Sequence, residues 1–235
     1  MINEENNQRE ISWFRSRIGS ITGSKVGDIM KTGRKKDEIW SDTAKSYILQ
    51  VASERLFNPK FLNDDDVFQD YIDQTNHTTK AMQWGIEQED AAKSLFISMN
   101  NTDEQELVYA ELSSCRHDTI PHFAASPDGL VYKRGEEGRY TLEVKCPDLN
   151  TYMKYRVSVH DAASLKEVEA KYYWQVLAEM SCTGAIGAYF IVYCPWLTKP
   201  IHWVCIKREE VEDDIKVMED RVILANEEIE KIINQ

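Results

Sequence analysis

Residues 126–147 read SPDGLVYKRGEEGRYTLEVKCP. Residues 140–146 alternate as a strand does, Leu142 and Val144 against Glu143 and Lys145, because successive strand side chains project to opposite faces. An acid and a base two residues apart therefore share a face. Asp128 stands upstream in a Pro127-Asp128-Gly129 turn. The segment is either a solvated strand face opposite a core or three parts of one site. The spacing alone does not separate the two.

The second reading has a definite chemistry. Phosphodiester hydrolysis needs charge neutralised on the scissile phosphate and a water made nucleophilic near neutral pH. A hard divalent cation such as Mg²⁺ does both and prefers oxygen ligands. One carboxylate at a turn and one on the neighbouring strand suit such an ion, and the Val144 carbonyl would point near the same place. A lysine on the charged face suits holding or deprotonating the water, or stabilising developing negative charge.

The whole chain sets the outer bounds. Its 235 residues, 42% hydrophobic, suffice for one sizeable core. No apolar run is long enough to span a bilayer. The N-terminal MINEENNQREISW is polar and acidic, unlike a signal peptide. The five cysteines (Cys115, Cys146, Cys182, Cys194, Cys205) are scattered with no Cys-x-x-Cys pair. That argues against zinc and fits a reducing cytosol. The net charge of −12 counts against nucleic acid as a partner. Yet acids crowd residues 63–66, 209–214 and 227–230, while Arg15, Arg17, Lys25, Lys31, Arg34, Lys35 and Lys36 crowd one N-terminal segment. A basic segment on an acidic body can face DNA locally.

The pattern predicts a first ordered segment opening at Trp13. A turn at residues 20–24 then feeds a short helix capped by Thr22 or Ser24, and residues 41–57 and 80–98 follow as helices. Residues 58–79 are polar, acidic and hard to assign. Strands are expected at 106–112, 123–125, 130–132 and 140–146, a helix at 164–181, strands at 185–193 and 202–206, and a C-terminal helix at 209–233. The order predicts a single α/β (α+β) domain over 1–235, a central mixed sheet flanked by helices. Its N-terminal helical segment covers about 12–98, the sheet core about 105–206 and the last helix about 209–233.

Pro127-Asp128 followed by Glu143-Val144-Lys145 is the pattern of the PD-(D/E)-x-K nuclease superfamily. Three further stretches accompany it in order: SWFRSRIGSITGS at 12–24, WGIEQE at 84–89 and YYWQV at 172–176. With them the chain resembles the phage lambda exonuclease, or YqaJ-type viral recombinase, family, from about residue 12 to residue 206.

The resemblance implies a restriction-endonuclease-like core and a 5′→3′ exonuclease on linear double-stranded DNA. Such an enzyme releases 5′-mononucleotides and leaves 3′ overhangs for recombination. It implies Glu89 as a third metal ligand beside Asp128, Glu143 and the Val144 carbonyl, holding one or two Mg²⁺ ions, with Mn²⁺ as a substitute. Glu87 is the rival on the same helix but lies on roughly the opposite side at about 100° per residue. Lys145 would orient or activate the water, Gln175 would help position it, and Asp118 would support metal-bound water. Leu177 stands where lambda exonuclease has a second glutamine. Arg17, Thr22 and Ser24 match the pocket that receives the 5′-phosphate. The resemblance also implies a homo-oligomer, a trimeric ring around DNA, a single-strand annealing protein as partner, and a phage protein at work in a host cytoplasm. Competing readings are an endonuclease or RecB-like repair nuclease of the same superfamily, and a silent DNA-binding or assembly protein on the same scaffold. The wide spacing of Cys182, Cys194 and Cys205 disfavours an iron–sulfur enzyme, and intact Asp128, Glu143 and Lys145 disfavour a silent protein.

Overall fold

The structure, a computed structural model, describes the chain from Glu4 to Gln235 apart from residues 36, 76–78, 103–105 and 113, with only the backbone for residues 4–10. Lys36 of the basic segment, residues 76–78 of the acidic one and residue 105, where the sheet core is expected to begin, lie outside the described residues.

The chain opens with α1 (Glu4–Arg17), the short strand β1 (Ile21–Thr22), α2 (Gly23–Ile29), α3 (Asp42–Arg55), α4 (Pro59–Leu62), α5 (Asp65–Thr75) and α6 (Lys80–Asn100). Strands β2 (Leu107–Ala110), β3 (Cys115–Arg116), β4 (Phe123–Ala125), β5 (Gly129–Lys133) and β6 (Tyr140–Lys145) follow. Helices α7 (Leu149–Ser158), α8 (Ala162–Val168) and α9 (Ala170–Thr183), strands β7 (Gly187–Tyr193) and β8 (Ile201–Lys207), and α10 (Arg208–Ile233) complete it.

The larger sheet has the order β2-β5-β6-β7-β8, with β6 and β7 parallel and the other pairs antiparallel. A smaller sheet, β1-β4-β3, pairs β1 parallel to β4. The expected mixed sheet flanked by helices is present. Parallel neighbours need a long crossover, and here it runs through α7, α8 and α9. That crossover brings α9 onto one face of β6, while α6 covers the other. Leu142 and Val144 pack with Ala92 and Phe96 of α6; Thr141 and Glu143 face α9.

Both faces of β6 are thus buried. This corrects the half-wet strand considered above, since Glu143 is only 1% exposed. Other departures have local causes. The first helix starts at Glu4 rather than at Trp13, and Ile21–Thr22, expected as turn, pairs with β4. Helix α7 was not foreseen; Asp148 starts it by accepting from the Asn150 and Thr151 N–H groups. The helix expected at 164–181 is broken at Glu169, with φ −154° and ψ 75°. The acidic 58–79 segment contains α4 and α5, and Phe68 and Ile72 of α5, one turn apart, pack on Ile11 of α1. Arg15 ties the two, donating to the Leu62 carbonyl at 2.8 Å and to Asp65 at 2.6 Å.

Candidate active site

The pleat of β6 sends Thr141, Glu143 and Lys145 to the α9 side. Glu143 Oε1 accepts from Gln175 Nε2 at 2.7 Å and touches Lys145 Nζ. The Gln175 amide also donates to Glu179 Oε1 at 3.2 Å, one turn along α9. Two carboxylates sharing one amide fix which end of Gln175 faces them. Glu143 Oε2, Glu179 Oε2 and Thr141 Oγ1 are buried without a hydrogen-bond partner.

Asp128 enters from the turn before β5. Its N–H donates to the Leu142 carbonyl at 2.9 Å, and its Oδ2 accepts from the Val144 N–H at 2.6 Å. In an extended strand the N–H and C=O of one residue project to the same edge. The Val144 carbonyl therefore projects toward Asp128, beyond the point where β5 begins.

Burial, and then the charge of Glu143, push the Asp128 carboxyl well above its usual range. The same two causes raise Glu179. Burial opposes the charge on Lys145, but Glu143 and Asp128 more than offset it and raise its pKa above the ordinary lysine value. Its ammonium lies 4.8 Å from the centre of the Tyr172 ring. The cluster thus holds more carboxylate than one ammonium neutralises, and such a site favours protons or a further cation. Oxygen donors with an orphaned, buried carboxylate oxygen among them suit Mg²⁺ or Mn²⁺.

Glu89 of α6 is half-buried and faces this region, whereas Glu87 is exposed and accepts from Gln83 at 3.0 Å. Glu89 is turned onto Lys93 Nζ at 2.9 Å, and that ammonium lies 3.5 Å from the Asp128 carbonyl. Among the described residues no three such side chains already converge as a metal cage. Asp118 is not brought to the cluster. It is exposed on the loop after β3, where the Cys115 thiol feels its charge. Glu179 and Lys93 are the residues the sequence reading missed. Each follows a chosen residue by four positions on a helix, which places it on the same face.

The N-terminal motif forms a separate cavity of about 410 Å³. Arg17 Nη2 donates to Ser24 Oγ at 3.4 Å, and Thr22 Oγ1 lies 3.5 Å from that oxygen. Thr22 is the N-cap of α2, but its hydroxyl makes no capping bond. Its N–H donates to Tyr47 OH at 3.0 Å. The Arg17 guanidinium lies over the Trp13 ring at 4.0 Å. Burial lowers the Arg17 pKa, and the charge of Glu54, which lines the same cavity, opposes that shift in part. Lys25 and Lys171 also line this cavity. A second cavity of about 280 Å³ is lined by Glu89, Lys93, Tyr109 and Asp128. Trp13, given no role by sequence, lines both.

Known proteins share this fold. LHK-Exo, an alkaline exonuclease from Laribacter hongkongensis, is similar with a TM-score of 0.66 at 24% identity, covering 94% of this chain and 95% of that one. Its complex with dAMP gives 0.69 at 25%, covering 95% and 94%. A phage-related exonuclease from Haemophilus somnus 129PT gives 0.61 at 16%, covering 92% and 95%. These likenesses establish a shared fold. Among curated proteins none matches the chain in sequence. The family model of the YqaJ-like viral recombinase domain matches residues 12–186, well over half of the sequence. The chain belongs to the YqaJ-like viral recombinase family.

Proposed function

We propose that the protein is a Mg²⁺-dependent 5′→3′ exonuclease that starts at ends of linear double-stranded DNA, releases 5′-mononucleotides and leaves 3′ single-stranded overhangs. One observation carries this reading: a cluster with excess negative charge adjoins a cavity where, among the described residues, Arg17, Lys25 and Lys171 face a single carboxylate, Glu54, and Trp13 walls both. A 5′-terminal nucleotide offers matching needs, a terminal phosphate for the cationic cavity and a scissile phosphate for the metal side. The family, and an alkaline exonuclease as a full-length structural relative, support a DNA nuclease.

In this scheme Glu89, Asp128, Glu143 and the Val144 carbonyl would hold one or two Mg²⁺ ions, with Mn²⁺ as a substitute. When bound, the metal supplies charge neutralisation at the scissile phosphate and a more acidic water. Lys145, kept as an ammonium by Glu143 and Asp128, donates to that water to orient it and offsets the negative charge that develops on the scissile phosphate. Gln175 keeps Glu143 in place through the 2.7 Å bond. Arg17, Thr22 and Ser24 receive the 5′-phosphate through charge-assisted hydrogen bonds. Asp118 has no part in it. The 3′ overhang is the substrate of a single-strand annealing protein, in the cytoplasm of a phage-bearing host. A homotrimeric ring with its bases inward reconciles DNA binding with the net charge of −12.

The test uses linear duplexes with 5′-phosphate or 5′-hydroxyl ends, and covalently closed circles. Mg²⁺-dependent mononucleotide release, faster from 5′-phosphate ends and abolished by chelation, is expected. Rapid cutting of closed circles would overturn the exonuclease reading.

A further inference from the structure

Lys93 has no part in the chemistry above, yet it lies inside the site. Its side chain is 13% exposed. Its Nζ reaches Glu89 Oε1 at 2.9 Å, Asp90 Oδ1 at 3.1 Å and the Asp128 main-chain oxygen at 3.5 Å. An ammonium has three donors, and three oxygens meet them. Tyr109 closes a further side, with its ring centre 5.8 Å from Nζ and its hydroxyl donating to the same Asp128 oxygen at 3.3 Å. A glutamate four residues before a lysine is a favourable helical pair. A pair serving only the helix surface has no reason to bury its lysine against the turn that carries Asp128.

A divalent ion drawn to Glu89 and Asp128 therefore approaches a fixed positive charge within a few ångströms. We propose that Lys93 is the built-in counter-ion of the Glu89–Asp128 side of the site, holding those oxygens together without a divalent ion and weakening the affinity with which they bind one. Lys93 is then a positioning residue. Removing it deletes a repulsion felt by the incoming ion and, in the metal-free protein, deletes the charge that stabilises the acids. This inference rests on the proposed metal site.

The experiment is isothermal titration of the full chain with Mn²⁺, together with thermal unfolding with and without Mn²⁺. The variants are Lys93→Met and Lys93→Gln, which are neutral, and Lys93→Arg, which keeps the charge. The neutral variants are expected to bind Mn²⁺ roughly tenfold or more tightly than wild type. They should lose melting temperature without metal and regain most of it at saturating Mn²⁺, whereas Lys93→Arg should stay near wild-type affinity. If one neutral variant does not fold, the other carries the test. Unchanged or weaker Mn²⁺ binding in a folded neutral variant overturns the inference, as does an equal loss of melting temperature with and without metal. A wild-type protein that binds no Mn²⁺ overturns the metal site and this inference together. Normal wild-type binding with an unaltered neutral variant overturns this inference alone.

Discussion

The carboxylate cluster around β6 and the Arg17 cavity at the start of α2 are unbalanced in opposite directions. Around β6, Asp128, Glu143 and Glu179 crowd one ammonium, and two carboxylate oxygens are buried without partners. Around Arg17, a guanidinium shares its cavity with hydroxyls, Lys25 and Lys171 against one described carboxylate, Glu54, whose charge it feels, so positive charge is in excess there. A charge imbalance of this kind costs stability, and a fold has little reason to place two of opposite sign side by side unless ligands complete both. The contrast fits the ligands proposed above, a cation for the first region and an anion for the second. Trp13 ties them together, because it supports the guanidinium and walls both cavities.

Breaking each region in turn separates the two roles, and the largest effect belongs to the carboxylate cluster. Lys145→Ala is expected to lower kcat for mononucleotide release roughly 10²–10⁴-fold, with binding of duplex ends little changed. A variant within a few-fold of wild type would remove Lys145 from the chemistry. Arg17→Ala acts on the other region. It should leave turnover on 5′-hydroxyl ends near wild type and cut the preference for 5′-phosphate ends by about ten- to a hundredfold. Parallel rate measurements on the two kinds of end decide it, and an unchanged preference would dissociate Arg17 from phosphate.

The two regions were not equally legible in the sequence. Arg17, Thr22 and Ser24 come from one continuous stretch and so arrive together, although Tyr47, Glu54 and Lys171 complete the pocket from other helices. The carboxylate cluster comes from α6, the turn before β5, β6 and α9. Only the strand alternation, the Pro-Asp turn and the ordered motifs pointed to it. Helical geometry did separate Glu89 from Glu87, which points to solvent. The burial of Glu143 was hidden, because an acid-base alternation looks the same on a wet face as on one covered by a crossover helix. Glu179 was hidden for a related reason: the apolar face of α9 shows its period clearly, but a glutamate on that face gives no sign that a carboxylate lies opposite. Helix α7 and the break at Glu169 carry no glycine at the junction, and the cap at Asp148 follows a proline that reads as loop. Asp118 matched by position alone, and the loop after β3 carries it away from the site.

The smallest expected effect is on stability, and it tests whether the excess negative charge is real. Asp128 and Glu179 have pKa values raised by burial and by Glu143. From the unfolded carboxyl values of about 4 up to those raised values, the folded protein carries more protons than the unfolded chain. Stability therefore falls as pH rises through that window, and the full cost is present above it. Metal-free protein should melt at progressively lower temperature from pH 5 to pH 8, and saturating Mg²⁺ should flatten the profile by supplying the missing positive charge. Glu179→Gln removes one of the crowded carboxyls, while its side-chain oxygen can still accept from Gln175. It is expected to raise the metal-free melting temperature at pH 8 by about 2–4 °C and to make the pH profile shallower, with turnover largely kept. A lower melting temperature at pH 8, or a profile as steep as wild type, would mean that Glu179 is already neutralised by a partner. The buried excess of charge that points to a cation at this site would then be smaller than the geometry indicates.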